Sequence, residues 1–114
     1  PLDLTTGMTL MAWVNPSAVS SWRTVILKED ATDLAYALYA GTDANRPGGY
    51  FVSGQTTSAL TGGTALPINT WSHVAVTRDG SSMRLYVNGN QVAISTVSGA
   101  INVTSRPLRI GGNT

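Results

Sequence analysis

Apolar and polar residues alternate along most of this chain, and turn-forming pairs separate the alternating runs. Asp79-Gly80 and Asn88-Gly89 stand between three such runs. Pairs of this kind are the strongest short-range signal for a β-hairpin, because both residues tolerate positive φ angles. Residues 71–97 are therefore predicted to form a three-stranded antiparallel meander.

The same alternation predicts short strands over the whole chain. The run from Leu34 to Ala40 would also tolerate a helix, but it is short for one and Gly41 ends it, so we interpret it as a strand. The predicted strands cover residues 8–14, 22–28, 34–40, 50–52, 57–61, 71–78, 83–87, 91–97 and 108–110.

The composition favours strands over helices. Among 114 residues, Lys28 is the only lysine and Glu29 the only glutamate. Exposed helices are normally rich in both, so little exposed helix is expected. A hydrophobic content of 42% suffices for one core and argues against disorder. The prediction is a single all-β domain over residues 1–114, an antiparallel β-sandwich or jelly roll.

Charge, cysteine count and hydropathy exclude several classes of function. A net charge of +1 without a basic stripe provides no electrostatic footprint for nucleic acid. The absence of cysteine excludes disulfides, thiolate catalysis and cysteine-based zinc sites, and it leaves the cellular compartment open. No run approaches the roughly 18 apolar residues of a membrane helix, so no membrane insertion is expected.

Residues suited to catalysis are scarce, and we predict that the domain is not an enzyme. A glycoside hydrolase generally needs two carboxylates with distinct roles. Glu29 and Asp30 end a strand and are expected to face solvent in different directions, while Asp79 fits its hairpin turn. His73 alternates with Trp71 on a strand and is expected to be a packed core residue rather than a base. The carboxylates available are Asp3, Glu29, Asp30, Asp33, Asp43 and Asp79.

The loop at 43–49 carries the candidate metal ligands. It begins like a calcium loop of the D-x-[DN]-x-[DN]-G type, with Asp43 and Asn45 in the first and third positions. Pro47 in the fifth position and Gly54 in the twelfth exclude an EF-hand. Two hypotheses remain: a calcium site less regular than an EF-hand that uses Asp43 and Asn45, or an Asx turn without a metal.

Aromatic residues beside this loop offer the flat faces that carbohydrate recognition needs, together with polar groups; the alternative is that they fill the core, as large aromatic residues mostly do. Tyr36 and Tyr39 have opposite parity on their strand, so only one of them can face a ligand. Arg46 and Tyr50 follow on the loop and the next strand. The candidate ligand-binding residues are Asp43, Asn45, Arg46, Tyr50 and Tyr39.

The three tryptophans divide into two groups. Trp13 and Trp71 lie within strongly apolar strands and are expected to fill the core. Trp22 follows two serines at the start of a strand and is expected to be partly exposed.

Four motifs follow one another along nearly the whole chain: MTLMAWVNP at 8–16, WSHVAVTRDG at 71–80, RLYVNGNQVA at 84–93 and LRIGGN at 108–113. In order and spacing they resemble laminin-G-like domains of the concanavalin A-like lectin/glucanase superfamily. The resemblance implies a concanavalin A-like jelly roll of two antiparallel sheets. It also implies an extracellular module that binds a glycan or a protein, often with calcium at the sheet rim.

Domains of this kind usually have one strand before residues 1–4 and another after the last motif. The sequence contains neither strand and no signal peptide. We therefore expect a domain trimmed at both ends, taken from a longer secreted or cell-surface chain with other domains. Trimming of this kind should expose apolar sheet edges and favour aggregation.

The sequence thus predicts a non-catalytic extracellular binding or adhesion module for carbohydrate or for a protein partner. Calcium is left open as a cofactor. Two alternatives remain: an accessory domain of a secreted polysaccharide-degrading enzyme, and a structural spacer without a ligand.

Overall fold

The computed structural model describes Leu2 and residues 4–112, which fold into two antiparallel sheets. Every predicted strand is present, with ends within two residues of the prediction, and the described residues contain no α-helix. Asp3 and Asn113, which entered the sequence predictions, lie outside the described residues. The strands are β1 (Met8–Val14), β2 (Arg23–Glu29), β3 (Leu34–Gly41), β4 (Gly48–Ser53), β5 (Thr56–Thr61), β6 (Ser72–Arg78), β7 (Ser82–Val87), β8 (Asn90–Thr96) and β9 (Leu108–Ile110).

One sheet has the strand order β1-β6-β7-β8 and the other β5-β4-β3-β2-β9. Strands β6, β7 and β8 form the predicted meander. At its second turn Asn88 and Gly89 have φ angles of 51° and 82°, as a type I′ hairpin turn requires. At its first turn the Asp79 carboxylate accepts hydrogen bonds from the backbone N–H groups of Ser81 and Ser82, both 2.8 Å long. The two hairpins and the role of Asp79 are therefore confirmed.

The core lies between the two sheets, where apolar side chains from both inner faces are fully buried. Leu38 and Phe51 from the five-stranded sheet pack with Val76 and Leu85 from the other. Gly49 lets the sheets approach closely, since a Cβ atom at this position would lie 2.5 Å from the Val76 Cγ2 atom. The sandwich thus depends on a glycine at this one crossing point.

The prediction that Trp13 and Trp71 fill the core is wrong, because their side chains are 65% and 63% exposed. Leu10 and Ala12 of β1 pack against the core, so alternation turns Trp13 to the opposite face. His73 is also not a core residue; it is half-buried on that outer face, its ring centroid 5.3 Å from the ring of Trp13. Strand β1 is apolar on both faces, so its sequence alone does not reveal the inward side.

Glu29 does not face solvent as predicted. Its side chain is buried, and its Oε1 atom lies 3.1 Å from the Nε atom of Arg109. Antiparallel pairing of β2 with β9 places Arg109 opposite Leu27, on the face that Glu29 shares. Asp30 behaves as a turn residue, accepting a backbone hydrogen bond of 2.7 Å from Thr32.

One side of the sandwich is open between two edge strands. Among the described strands, β1 pairs only with β6, and β9 pairs only with β2. Between these edges lies an apolar cavity of about 530 Å³, lined by Trp13, Trp71 and Ile110 among others. Ile110 is 81% exposed. Exposed apolar residues thus lie along these edges, while the trimming of the domain stays a prediction.

No helix among the described residues has the length and hydropathy needed to cross a membrane.

Candidate functional site

The outer face of the five-stranded sheet carries a small apolar cluster that is separate from the core. Leu27, Ala37 and Tyr39 belong to it, with Tyr50 packed against them. Tyr36 instead packs in the main core, where its hydroxyl donates a 2.9 Å hydrogen bond to the Leu2 carbonyl. The predicted opposite orientation of Tyr36 and Tyr39 is therefore confirmed.

Three aromatic rings meet on this face, and we call Trp22, Tyr39 and Tyr50 the aromatic cluster. The Trp22 ring centroid lies 4.9 Å from that of Tyr39 and 5.7 Å from that of Tyr50. The two tyrosine rings are 5.5 Å apart and nearly perpendicular, at 89°. Edge-to-face pairs of this kind hold aromatic rings in defined positions. Trp22 remains 42% exposed, in agreement with the sequence prediction, so the cluster presents an aromatic surface to solvent.

The segment that carries Trp22 is held by the loop between β3 and β4. Ser21 has a φ of 61°, and its backbone N–H donates a 3.1 Å hydrogen bond to the Oδ1 atom of Asn45. The Asn45 N–H in turn donates to the Thr42 carbonyl at 2.9 Å. Asn45 therefore acts as a positioning residue for the neighbour of Trp22.

A groove made of two adjoining cavities runs beside the aromatic cluster. The first cavity has a volume of about 270 Å³ and the second about 330 Å³, and both are lined by Asp33 and Tyr39. The first is completed by Trp22, Leu34, Tyr50 and Thr57. The second is completed by Leu27, Glu29, Asp30, Ala31, Thr32 and Arg106.

The hydroxyl groups of the cluster lie in a desolvated and negative environment. Burial raises the pKa of Tyr39 to about 12, and the nearby Asp33 carboxylate and Tyr50 add to that rise. Burial also raises the pKa of Tyr50, with a further contribution from the Asp43 carboxylate. Tyr39 is 5% exposed, and its hydroxyl has no hydrogen-bond partner in the part of the chain that the structure describes. This hydroxyl is therefore available to a ligand in the groove.

Comparison with known proteins identifies the family of the chain. A family model described as the concanavalin A-like lectin/glucanases superfamily matches residues 1–114, and the model itself is a laminin-G type. The chain belongs to this superfamily. Among functionally curated proteins no match is found.

Solved structures share the lectin/glucanase-type fold at low sequence identity. Domains LG4-5 of the mouse laminin α1 chain align with a TM-score of 0.79 at 17% identity, over 98% of this chain and 30% of that one. The CBM40 of a Ruminococcus gnavus IT-sialidase, bound to α2,3-sialyllactose, gives 0.76 at 14% identity, over 98% and 66%. The galectin LEC-6 of Caenorhabditis elegans gives 0.58 at 17% identity, over 96% and 77%. This chain thus spans less than a third of the laminin fragment.

In this superfamily domain the predicted ligand-binding residues are only partly brought together. Tyr39 and Tyr50 are in contact, and the exposed Asp43 is close enough to Tyr50 to influence its pKa. Asn45 points its oxygen at the segment before β2, as described above. Arg46 is exposed and lines neither cavity of the groove.

The two predicted calcium ligands, Asp43 and Asn45, differ in their contacts. Asp43 has an exposed carboxylate, but the Asn45 Oδ1 atom already accepts the Ser21 N–H. Among the described residues, no three His, Cys, Asp or Glu side chains lie in one group that could hold a metal ion. Calcium usually takes six to eight oxygen ligands. The pair Asp43 and Asn45 does not form such a set by itself, and calcium binding stays a prediction.

Sequence reasoning missed Trp22, Asp33 and Thr57 as site residues. Trp22 was expected to be exposed, yet nothing in the local pattern connects it with Tyr39 and Tyr50. Asp33 lies in the turn between β2 and β3, where the sequence reads as ordinary turn chemistry. Thr57 lies opposite Val52 because β4 pairs with β5. The local sequence pattern does not predict this pairing.

Proposed function

We propose that this domain is a non-catalytic carbohydrate-binding module and that its ligand occupies the groove beside the aromatic cluster. The observation that carries the proposal is the exposed Trp22 ring next to the Asp33 carboxylate and to the Tyr39 hydroxyl, which has no partner among the described residues. An aromatic face can stack against the C–H face of a pyranose ring. Hydroxyl and carboxylate groups at its margin can bind the sugar hydroxyls.

The chemistry of the neighbouring carboxylates supports binding without catalysis. Glycoside hydrolysis needs one carboxyl group with a raised pKa as general acid and a second carboxylate across the bond. Hydrogen bonds from the backbone N–H groups of Asp33 and Thr32 lower the pKa of Asp30. Glu29 is engaged in its ion pair with Arg109. Asp30 is therefore stabilised in the charged form, which a general acid is not, and Glu29 already has a partner.

The relatives support this proposal at the level of fold. One neighbour is a sialidase CBM40 bound to sialyllactose, and another is a galectin. We further propose an extracellular location, within a larger parent chain, on the basis of the family resemblance. If a catalytic domain flanks this segment in the parent chain, the module serves a polysaccharide-degrading enzyme.

A protein partner is the second candidate function. It is favoured by the outer face of the four-stranded sheet, where Met11, Trp13 and Ile94 are exposed apolar residues. Exposed apolar patches of this kind are typical of protein interaction sites. Failure to bind any glycan would favour this second function over the first.

The test of the first function is a glycan array followed by titration of each bound glycan. We expect wild-type binding that Trp22→Ala abolishes or weakens by at least about tenfold, as expected for an aromatic residue at the centre of a site. Trp71→Ala is the matched control, because it removes another exposed tryptophan outside the groove. Equal binding by wild type and Trp22→Ala would overturn the assignment of the site.

A further inference from the structure

We propose that the groove selects uncharged glycans and rejects glycans that place a carboxylate beside the aromatic cluster. The inference rests on the proposed function and adds a ligand class to it. It follows from the distribution of charge around the two cavities.

The first cavity has one charged side chain among the described residues, the carboxylate of Asp33. Its other lining residues are Trp22, Leu34, Tyr39, Tyr50 and Thr57, which contribute aromatic, aliphatic and hydroxyl groups. An ionised carboxylate only accepts hydrogen bonds. It can therefore bind sugar hydroxyls, whereas it repels a carboxylate on the ligand.

The Tyr39 hydroxyl makes this cavity a built site rather than an acidic surface. Tyr39 is 5% exposed and lines both cavities, and its hydroxyl lacks a hydrogen-bond partner among the residues described. The Asp33 carboxylate acts on this hydroxyl electrostatically. A sugar hydroxyl placed between the two can accept from the Tyr39 O–H and donate to Asp33, which satisfies both groups.

The second cavity carries more carboxylates than cations. Glu29, Asp30 and Asp33 line it together with one basic residue, Arg106. The guanidinium of Arg109 is already paired with Glu29 at 3.1 Å. Carboxylates thus outnumber the lining cation, and the charge of the groove is negative.

Three other basic side chains, those of Lys28, Arg78 and Arg46, do not line the groove. The ammonium group of Lys28 donates to the carbonyls of Thr104 and Arg106, at 3.1 and 2.6 Å. Arg78 is buried and donates to the Gly99 carbonyl at 2.6 Å. Arg46, on the neighbouring loop, lines neither cavity.

This preference differs from that of one structural neighbour. The Ruminococcus gnavus module was solved with sialyllactose, an acidic trisaccharide. In the present chain, the charge facing the ligand comes from the turn between β2 and β3, which can vary without altering the sheets. A shared fold is therefore compatible with opposite charge selectivity.

The experiment compares neutral and acidic glycans that share one carbohydrate chain. An array carries neutral oligosaccharides, each beside a sialylated or uronic-acid-bearing counterpart, with lactose and α2,3-sialyllactose as one pair. We expect the wild type to bind neutral members at least about tenfold more tightly, since juxtaposed like charges are strongly unfavourable. Asp33→Asn should reduce this ratio by at least about threefold.

Asp79→Asn is the matched control, because it removes the same charge from a hairpin of the other sheet. It should leave the ratio unchanged. Acidic glycans bound as tightly as their neutral partners, or a ratio unaffected by Asp33→Asn, would overturn the charge selectivity while leaving carbohydrate binding intact. No binding to any member of the array would overturn the proposed function and this inference together.

Discussion

The indole of Trp22 meets the ring of Tyr39 edge to face, with 4.9 Å between the centroids and 66° between the planes. Trp22 lies just before β2 and is partly exposed, whereas Tyr39 is buried in β3. The contact is made possible by the pairing of β2 with β3, in which Thr24 stands opposite Tyr39. One aromatic pair thus connects the solvent-facing wall of the groove with a tyrosine fixed inside the sheet.

The hydroxyl of Tyr39 should contribute to ligand binding without being needed for the fold. Tyr39→Phe keeps the ring and removes one hydrogen bond to a sugar, which has a net value of about 0.5–1.5 kcal/mol. We expect an affinity loss of roughly two- to tenfold in a calorimetric titration with any bound glycan. Tyr86→Phe on the other sheet is the control and should bind like the wild type. Unchanged affinity of Tyr39→Phe would remove this hydroxyl from the site.

Tyr39 should also make the fold sensitive to alkaline pH. Its pKa is raised from 10.0 to about 12 in the folded state. The folded chain therefore holds this proton more tightly than the unfolded chain does. The associated contribution to the free energy of unfolding is complete below pH 10 and is lost as the pH rises toward about 12.

The measurement is urea unfolding of the wild type and of Tyr39→Phe across this pH interval. The wild type should lose more stability than the variant, because the variant lacks the Tyr39 hydroxyl and both proteins keep that of Tyr50. Parallel loss of stability in both proteins would show that Tyr39 makes no such contribution.

Gly49 should be required for the packing of the two sheets. In Gly49→Ala the added Cβ would lie within 2.5–3.3 Å of three Val76 side-chain atoms, and we expect a loss of about 1–3 kcal/mol in the free energy of unfolding. Gly63→Ala is the control, since nothing lies within 4 Å of its Cβ position. Denaturant unfolding of both variants measures the difference in the free energy of unfolding. Equal values would show that the two sheets can accommodate a side chain at position 49 without loss of stability.

The calcium hypothesis can be decided by titration. If Asp43 and Asn45 bind the ion, calcium should raise the melting temperature relative to a chelator, because a ligand that binds only the folded state stabilises it. Asp43→Asn should abolish that increase. Identical melting with calcium and with chelator would exclude a calcium site in this segment and leave the loop as an Asx-type turn.

The open edges of the sandwich should favour self-association. Trp13 on β1 and Ile110 on β9 are exposed apolar residues at strands that each have a free edge. We expect sedimentation velocity to show association that grows with protein concentration. Ile110→Lys should reduce it, because a charge on an edge strand opposes pairing between molecules. A cooperatively melting monomer at all concentrations would contradict both this expectation and the predicted trimming.

Local sequence pattern was sufficient to predict the strands, the hairpins and the opposite orientation of Tyr36 and Tyr39. These features depend on alternation and on turn chemistry, which act between residues close together in the chain. The four motifs also determined the superfamily. Tyr39 and Tyr50 could be proposed for the site because they lie on neighbouring predicted strands that flank one loop.

The side of the apolar strands that is buried, and the distant residues that meet, depend on how the strands pair and how the sheets pack. Trp13 lies in a strand with apolar residues on both faces, so its exposure depends on the position of the second sheet. The ion pair of Glu29 with Arg109 depends on the pairing of β2 with β9. The contact of Trp22 with Tyr39 depends on the pairing of β2 with β3. Pairing between strands and packing between sheets join residues far apart in the sequence. The local sequence pattern does not indicate which of these residues will be partners.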